Sequence, residues 1–309
     1  MLLRKIAVAI PALNEAERIA ACLSAILRQR RGACVSSIGI FVLANNCADQ
    51  TAGIIRAQFP EDCVQLREVS LIKPHDHAGW ARRLSIECAA QTLVKPTDVL
   101  MCTDADTIVA EDWVVRNLAH LDKGFDAVAG FALPHFPEWQ QLEPAHRVRF
   151  NRLRKYHTLL AYLRSARHAN SHDPWPRHEY EGGASIAMTL GMYQRISELP
   201  TPPIGEDKAV FEAVRKVGGR IRHPRDVRAF TSCRYDGRAS GGMADTIALW
   251  GKQHEDAPIH GAWPLNVELG HTAQAKSGAL TFRTLDREIA KARLLVRSKR
   301  VLRRLSMPA

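Results

Sequence analysis

Apolar runs alternate with helical patterns through the first half of this chain. Lys5–Ile10, Ile38–Ala44, Gln65–Leu71, Val99–Cys102 and Ala127–Leu133 read as strands. Between them, Ala16–Gln29, Thr51–Gln58, Gly79–Leu93 and Asp112–Leu121 repeat apolar positions at helical spacing. This alternation predicts a mostly parallel α/β sheet with helices on both faces. Ligands of such sheets sit at the carboxyl ends of the strands. That singles out Pro11–Glu15, Asn45–Thr51 and Thr103–Thr107, each of which follows a predicted strand.

The second half has a different texture. Pro144–His168 is long, basic and helical in period, and a polar, Pro-rich stretch follows at Ser171–His178. Glu181–Met188 reads as a strand, and a helix begins after Gly205-Glu206-Asp207. Arg220–His223 and Val227–Phe230 are expected as short edge strands, Thr231–Gly242 as a loop, and Ala244–His254 as a helix. With no repeat and no low-complexity linker, one catalytic domain is expected over 1–255. It divides into halves at about 1–110 and about 111–255, with a helical extension at 256–309.

Composition narrows the class. The chain has 309 residues, 46% hydrophobic and 24% charged, which excludes a disordered chain. It lacks the ~18-residue apolar run of a transmembrane helix, and Met1–Ile10 reads as a first strand rather than a secretory signal. Seven cysteines, none in zinc spacing, suit a reducing cytoplasm. Residues 281–309 hold nine Lys/Arg and two Asp/Glu, so they carry +7 of the net +11. Basicity gathered in one tail is not the footprint of a nucleic-acid enzyme. In that tail Leu285, Ile289, Ala292 and Val296 form an apolar stripe, and Arg287, Lys291, Arg297, Lys299, Arg300, Arg303 and Arg304 crowd around it. Such a helix either packs on the domain by its stripe or lies on an anionic membrane at the inner face.

Thr103-Asp104-Ala105-Asp106-Thr107 carries the sharpest chemistry. Two carboxylates two residues apart, just past a buried strand, can hold Mg²⁺ or Mn²⁺ through hard oxygen ligands. The cation would neutralise charge on a leaving diphosphate. The alternative is a solvated turn. Asn45-Asn46-Cys47-Ala48-Asp49-Gln50-Thr51 offers short polar groups to a base or ribose, although Asp49 can equally cap the next helix. Glu206 and Asp207 at a helix start gain from the helix dipole, which favours the ionised form a general base needs. Arg234 and Arg238, in a loop with Gly241-Gly242, suit a diphosphate or an anionic acceptor. His223 and His254 are lesser candidates for a third metal ligand, and Trp139, Trp175 and Tyr180 for stacking on a sugar or lipid.

The order of Pro-Ala-Leu-Asn-Glu (11–15), Asn-Asn-Cys-Ala-Asp-Gln-Thr (45–51), Thr-Asp-Ala-Asp-Thr (103–107) and Gly-Glu-Asp (205–207) resembles the family 2 glycosyltransferases of GT-A fold. The resemblance spans residues 4 to about 217. It implies a Rossmann-like GT-A sheet and transfer of a sugar from a nucleotide-diphosphate donor, expected as a UDP-sugar, to an acceptor hydroxyl. By the same resemblance Pro11, Ala12 and Glu15 border the nucleotide, and Asn45 stands where many relatives have an acid touching the base. Asp49 matches the later Asp of that motif, and Arg82 matches an arginine that contacts base or phosphate. Asp104 and Asp106 match the metal and diphosphate motif, Gly182-Gly183 a turn beside the acceptor, and Asp207 the base, with Glu206 beside it. No Q-x-x-R-W motif is present, which disfavours a processive synthase. The acceptor is left open among lipid, glycan and small metabolite.

Two other readings compete. A sugar-nucleotide nucleotidyltransferase would want a Gly-rich basic loop after the first strand, and residues 11–18 contain no glycine. A non-catalytic protein binding membrane or nucleic acid would depend on the basic tail and not on Asp104.

Overall fold

The first strand shows how the sheet is buried. In β1 (Arg4–Ala12), Ile6, Val8 and Ile10 point into one apolar cluster, while Ala7 and Ala9 point into another. A strand covered on both faces belongs at the middle of an α/β sheet. In this computed structural model β1 pairs in parallel with β2 (Val35–Asn45) on one side and with β4 (Val99–Cys102) on the other. The structure describes residues 3–30, 32–167, 172–238, 242–273 and 278–305, with side chains described to residue 298.

The main sheet has seven strands in the order β3-β2-β1-β4-β8-β6-β9, with β3 at Val64–Val69, β6 at Ala127–Ala129, β8 at Ile186–Thr189 and β9 at Ile221–Arg222. Its pairings are parallel except those of β8, which runs against β4 and β6. Helices α1 (Ile19–Leu27), α2 (Thr51–Gln58) and α4 (Trp113–Leu121) cover one face. Helices α3 (Ala78–Ala90), α7 (Leu190–Ile196) and α8 (Glu206–Lys216) cover the other. Each large aliphatic side chain buried this way stabilises the fold by about 1.5–3 kcal/mol. A second sheet, β5-β10-β7, joins Thr107–Val109, Arg228–Thr231 and Phe131–Pro134.

Three expectations need correction. The first strand runs from Arg4 through Pro11 to Ala12 rather than over Lys5–Ile10. The Ala9 carbonyl accepts from Thr103 N at 3.2 Å, so Pro11, two residues on, faces the same way. The β1–β4 ladder has ended by then, and the missing N–H removes no sheet bond. The strand expected over Ala127–Leu133 is two strands in two sheets, broken at Gly130. The Gly130 amide donates to Ser185 O, and a Cβ there would lie 2.0 Å from Ser185 Oγ. Finally, β10 is not an edge strand: it lies between β5 and β7, antiparallel to the first and parallel to the second.

Contacts divide the chain into two compact units: residues 1–140 with 180–245, and residues 141–179 with those from 246 onward. In the second unit α6 (Pro144–Arg167) packs on α11 (Phe282–Leu305), with α9 (Met243–Lys252) and α10 (Leu265–Glu268) nearby in the chain. Leu285, Ile289, Ala292 and Val296 of α11 are buried with Leu153, Tyr156 and Leu160 of α6. The apolar stripe of the tail is therefore spent on packing. Among the described residues no helix is long and apolar enough to cross a membrane.

Candidate active site

Glu15, Asp104, Asp106, Glu206 and Asp207 lie in the first unit, at the side of the sheet where β1 and β4 end. The four apolar residues of β4 are buried, and the chain leaves the sheet at Thr103, whose hydroxyl donates to Ala184 O at 2.8 Å. The Thr107 amide donates to Asp104 O at 3.1 Å, closing a turn before β5. Ala105 is buried between the two aspartates and anchors that turn. Main-chain bonds thus fix both carboxylates at the carboxyl edge of the sheet.

Arg82 reaches this edge from α3. Its Nη2 donates to Asp104 Oδ1 at 2.9 Å and to Glu206 Oε1 at 3.1 Å, and its Nη1 meets Cys102 Sγ at 3.3 Å. The side chain is only 8% exposed. Burial opposes its charge, yet Asp104 and Glu206 beside it hold the guanidinium more firmly protonated than usual. The arginine expected at base or phosphate has its donors directed at the protein's own acids.

Arg234 does for Asp106 what Arg82 does for Asp104. It donates Nη1 to Glu15 Oε2 at 2.7 Å and Nη2 to Glu15 Oε1 at 2.5 Å, and Nη2 lies 3.2 Å from Asp106 Oδ2. Glu15 is buried, and this bidentate pair neutralises it. Burial, then the neighbouring Asp104, pushes the Asp106 carboxyl up to about 7. The arginine arm is held from behind by Glu138 of α5 (Phe136–Gln141), whose Oε2 accepts from Ser232 Oγ at 2.6 Å and from Cys233 N at 2.7 Å. Glu138 escaped the sequence reading. The partners that give it this role, Ser232 and Cys233, lie more than ninety residues downstream, so the sequence around it does not mark it.

Glu206 and Asp207 open α8. Gly205 caps that helix with φ of +75°, a left-handed conformation glycine adopts without strain. The Asp207 carboxylate accepts from Gly183 N at 3.1 Å and from Lys208 N at 2.8 Å. Burial, with Glu206 close by, raises its pKa, although Arg82 works the other way. Gly183 has no room for a side chain: a Cβ would lie 2.1 Å from Arg82 Nη2 and 2.7 Å from Asp104 Oδ1. Just before it, Glu181 is held by Arg215 and by His223 Nε2 at 2.9 Å. Those two bonds, outweighing burial, keep its carboxyl below the usual glutamate range.

The remaining candidates have clear places. Pro11 and Ala12 finish β1, and buried Asn45 finishes β2 beside them, since Ala12 pairs with Ala44. Asp49 works as a clamp. Its Oδ1 accepts from Thr51 N at 2.9 Å and its Oδ2 from Ala16 N at 3.0 Å. Arg238 Nε donates to Asn14 O at 3.1 Å, and its Nη1 pairs with Asp236 at 3.1 Å. Asn14, at φ of +54°, also accepts from Ala48 N at 2.7 Å, which ties the β1 and β2 loops together. His223 is taken up by Glu181, and exposed His254 sits 3.6 Å from Asp256. Trp175 packs edge-on to Tyr162 with centroids 5.1 Å apart. Gly241 lies outside the described residues.

Among the described residues no three His, Cys, Asp or Glu side chains are gathered around a cation position. The donor set at Asp104 and Asp106 nevertheless fits a hard divalent cation. Both are carboxylates two residues apart, and burial together with the charge of Asp104 disfavours the ionised form of Asp106, a cost such an ion relieves.

Residues 7–177 match the family model described as Glycosyl transferase family 2. None of the curated protein sequences matches the chain at a significant level. Among solved structures, the mannosyltransferase PcManGT from Pyrobaculum calidifontis, in complex with GDP-Man and Mn²⁺, is 16% identical with a TM-score of 0.51. That alignment covers 98% of this chain and 81% of the other. TarS 1–349 from S. aureus, in complex with UDP-GlcNAc, is 12% identical with a TM-score of 0.50, covering 94% and 71%. At these identities the likeness is one of fold, and the fold is the mainly parallel GT-A arrangement expected from the sequence.

Proposed function

Since the chain belongs to glycosyl transferase family 2, we propose that this glycosyltransferase moves a sugar from a nucleoside-diphosphate donor, a UDP-sugar, to an acceptor hydroxyl with inversion. The observation that carries the reading is the convergence of Glu15, Asp104, Asp106, Glu206 and Asp207 at one sheet edge, bridged by Arg82 and Arg234. A sheet edge with this surplus of carboxylates suits a cation-bound diphosphate better than a bare anion. The runner-up, a nucleotidyltransferase, lacks the basic glycine loop it would need after β1.

Asp207 is the proposed base. Burial raises its pKa and so strengthens the carboxylate as a proton acceptor, and the Gly183 amide fixes one carboxylate oxygen. Asp207 takes the proton of the acceptor hydroxyl as that oxygen bonds to the anomeric carbon. The bond from that carbon to the diphosphate breaks, and its electron pair leaves with the diphosphate. Attack from the face opposite the leaving group inverts the centre. Asp104 and Asp106 would hold Mn²⁺ or Mg²⁺, which supplies positive charge against the departing phosphates. Pro11, Ala12, Asn45 and Asp49 line or brace the nucleoside side, and Arg234 and Arg238 offer guanidinium groups to phosphate. The acceptor is a lipid, glycan or small metabolite bearing a free hydroxyl.

We also propose a cytoplasmic, peripheral membrane contact. Leu294 of α11 is 64% exposed, and Arg287, Arg293 and Arg297 are exposed on the same helix.

Calorimetry with UDP, GDP, CMP and ADP, each with Mn²⁺ and with EDTA, tests the donor site. Metal-dependent binding of one diphosphate, lost in Asp104→Asn/Asp106→Asn, is expected. A folded protein that binds none of them would sink the reading and return weight to a non-catalytic role for the basic tail.

A further inference from the structure

Asp106 already has a cation: the guanidinium of Arg234, 3.2 Å from its Oδ2. We propose that Arg234 and the divalent cation are alternative counter-ions for Asp106, so that loading the metal obliges the Arg234 arm to let go. This rests on the metal reading given above.

The two arginines of the site differ in how firmly they are held. Arg82 is fixed by three partners on three elements: Asp104, Glu206 and Cys102. Arg234 shares one guanidinium between Glu15 and Asp106, and bonds Glu15 more closely. A hard cation on Asp106 would put a double positive charge beside that guanidinium, and like charges at such range repel strongly. Glu15 keeps a reason to retain Arg234, because it is buried and needs a partner. Asp106 is therefore the contact that gives way.

The backbone allows this. The ladder of the small sheet ends at Thr231↔Thr107. Beyond it the arm is pinned by Glu138, through Ser232 and Cys233, before the chain reaches Arg234. Rotation of the Arg234 side chain past that pin needs no change in either sheet. Once off Asp106, the fork can take a phosphate oxygen of the donor. The consequence is coupling. A diphosphate that draws Arg234 away favours the metal, and by reciprocity the metal favours the diphosphate. Metal binding should be weak alone and tight with nucleotide.

The test is Mn²⁺ binding itself, followed by the loss of the free-ion signal in electron paramagnetic resonance, with and without UDP. In Arg234→Gln, Mn²⁺ alone is expected to bind about fivefold or more tighter than in the parent, and the enhancement by UDP should shrink. Glu138→Gln, which loosens the arm without removing a charge from Asp106, should shift the affinity in the same direction by less, and serves if Arg234→Gln does not fold. Unchanged or weaker Mn²⁺ binding in the folded variants overturns the proposal while leaving the metal site standing. Failure of the parent protein to bind Mn²⁺ even with UDP overturns the metal reading and this proposal together.

Discussion

The Gly183 amide donates to Asp207 Oδ2 at 3.1 Å, while the Gly183 Cα faces the Arg82–Asp104 pair with no space between. One residue thus touches both the proposed base and the proposed metal ligand. Gly183→Ala must push aside Arg82 or move the 182–184 backbone. Overpacking of this kind costs about 1–3 kcal/mol. Thermal melts should show that loss, and kcat should fall more than stability explains because Asp207 loses its fixed oxygen. A variant with parental kcat would mean the turn has no part in placing Asp207.

Arg82 balances two acids from a nearly buried position. Arg82→Ala strands Glu206, 13% exposed, and Asp104, 32% exposed. Removing one partner of a buried pair costs about 3–5 kcal/mol, and the partial exposure of Asp104 places this case at the low end. Arg82→Lys keeps the charge but not the fork, so most of the loss should remain. Urea unfolding of the two variants decides between charge and geometry.

Glu181 makes stability depend on pH in a definite direction. Its bonds to His223 and Arg215 set its folded pKa below the unfolded value of 4.5. Its contribution is present above that value and lost as pH falls through the lower, folded one. Glu181→Gln should therefore be less stable than the parent at pH 7, by about 1–2 kcal/mol. The two unfolding curves should converge once the pH has fallen through that lowered value. A constant gap across that range would assign the loss to packing instead.

For α11, the charge is accessible where the stripe is not. Replacing Arg287, Arg293 and Arg297 by Gln should weaken sedimentation with phosphatidylglycerol vesicles by about a hundredfold, at about 1 kcal/mol per residue. Leu294→Ser should act in the same direction. Equal binding of parent and variants, or binding insensitive to salt, would remove the membrane proposal.

Much of the site was legible because its signals are local. Val99–Cys102 reads as a buried strand, and β4 has those bounds, so Asp104 had to emerge at the sheet edge. Thr51–Gln58 and the start of α8 follow from caps and period in the same way. What stayed hidden depends on partners far along the chain. Gly130 breaks a continuous apolar run only because Ser185 packs against it. Thr107–Val109 is too short to announce a strand and pairs with residues near 230. The burial of Arg82 between Asp104 and Glu206 cannot be read from α3 alone. The stripe of α11 fitted packing or membrane, and the presence of α6 beneath it decides for packing.

The ladder between β5 and β10 has one more implication. Thr107 and Thr231 stand opposite each other, one step after Asp106 and three before Arg234. The small sheet is in effect a spacer gauge that sets the reach from one arm to the other. A residue added or deleted between Thr231 and Arg234 would throw the guanidinium off its mark, since alternate residues of an extended chain face opposite ways. Changes beyond Arg238 leave the gauge untouched. Lengthening of the loop should thus be tolerated downstream of the arginine and not upstream, whatever sequence the insertion carries.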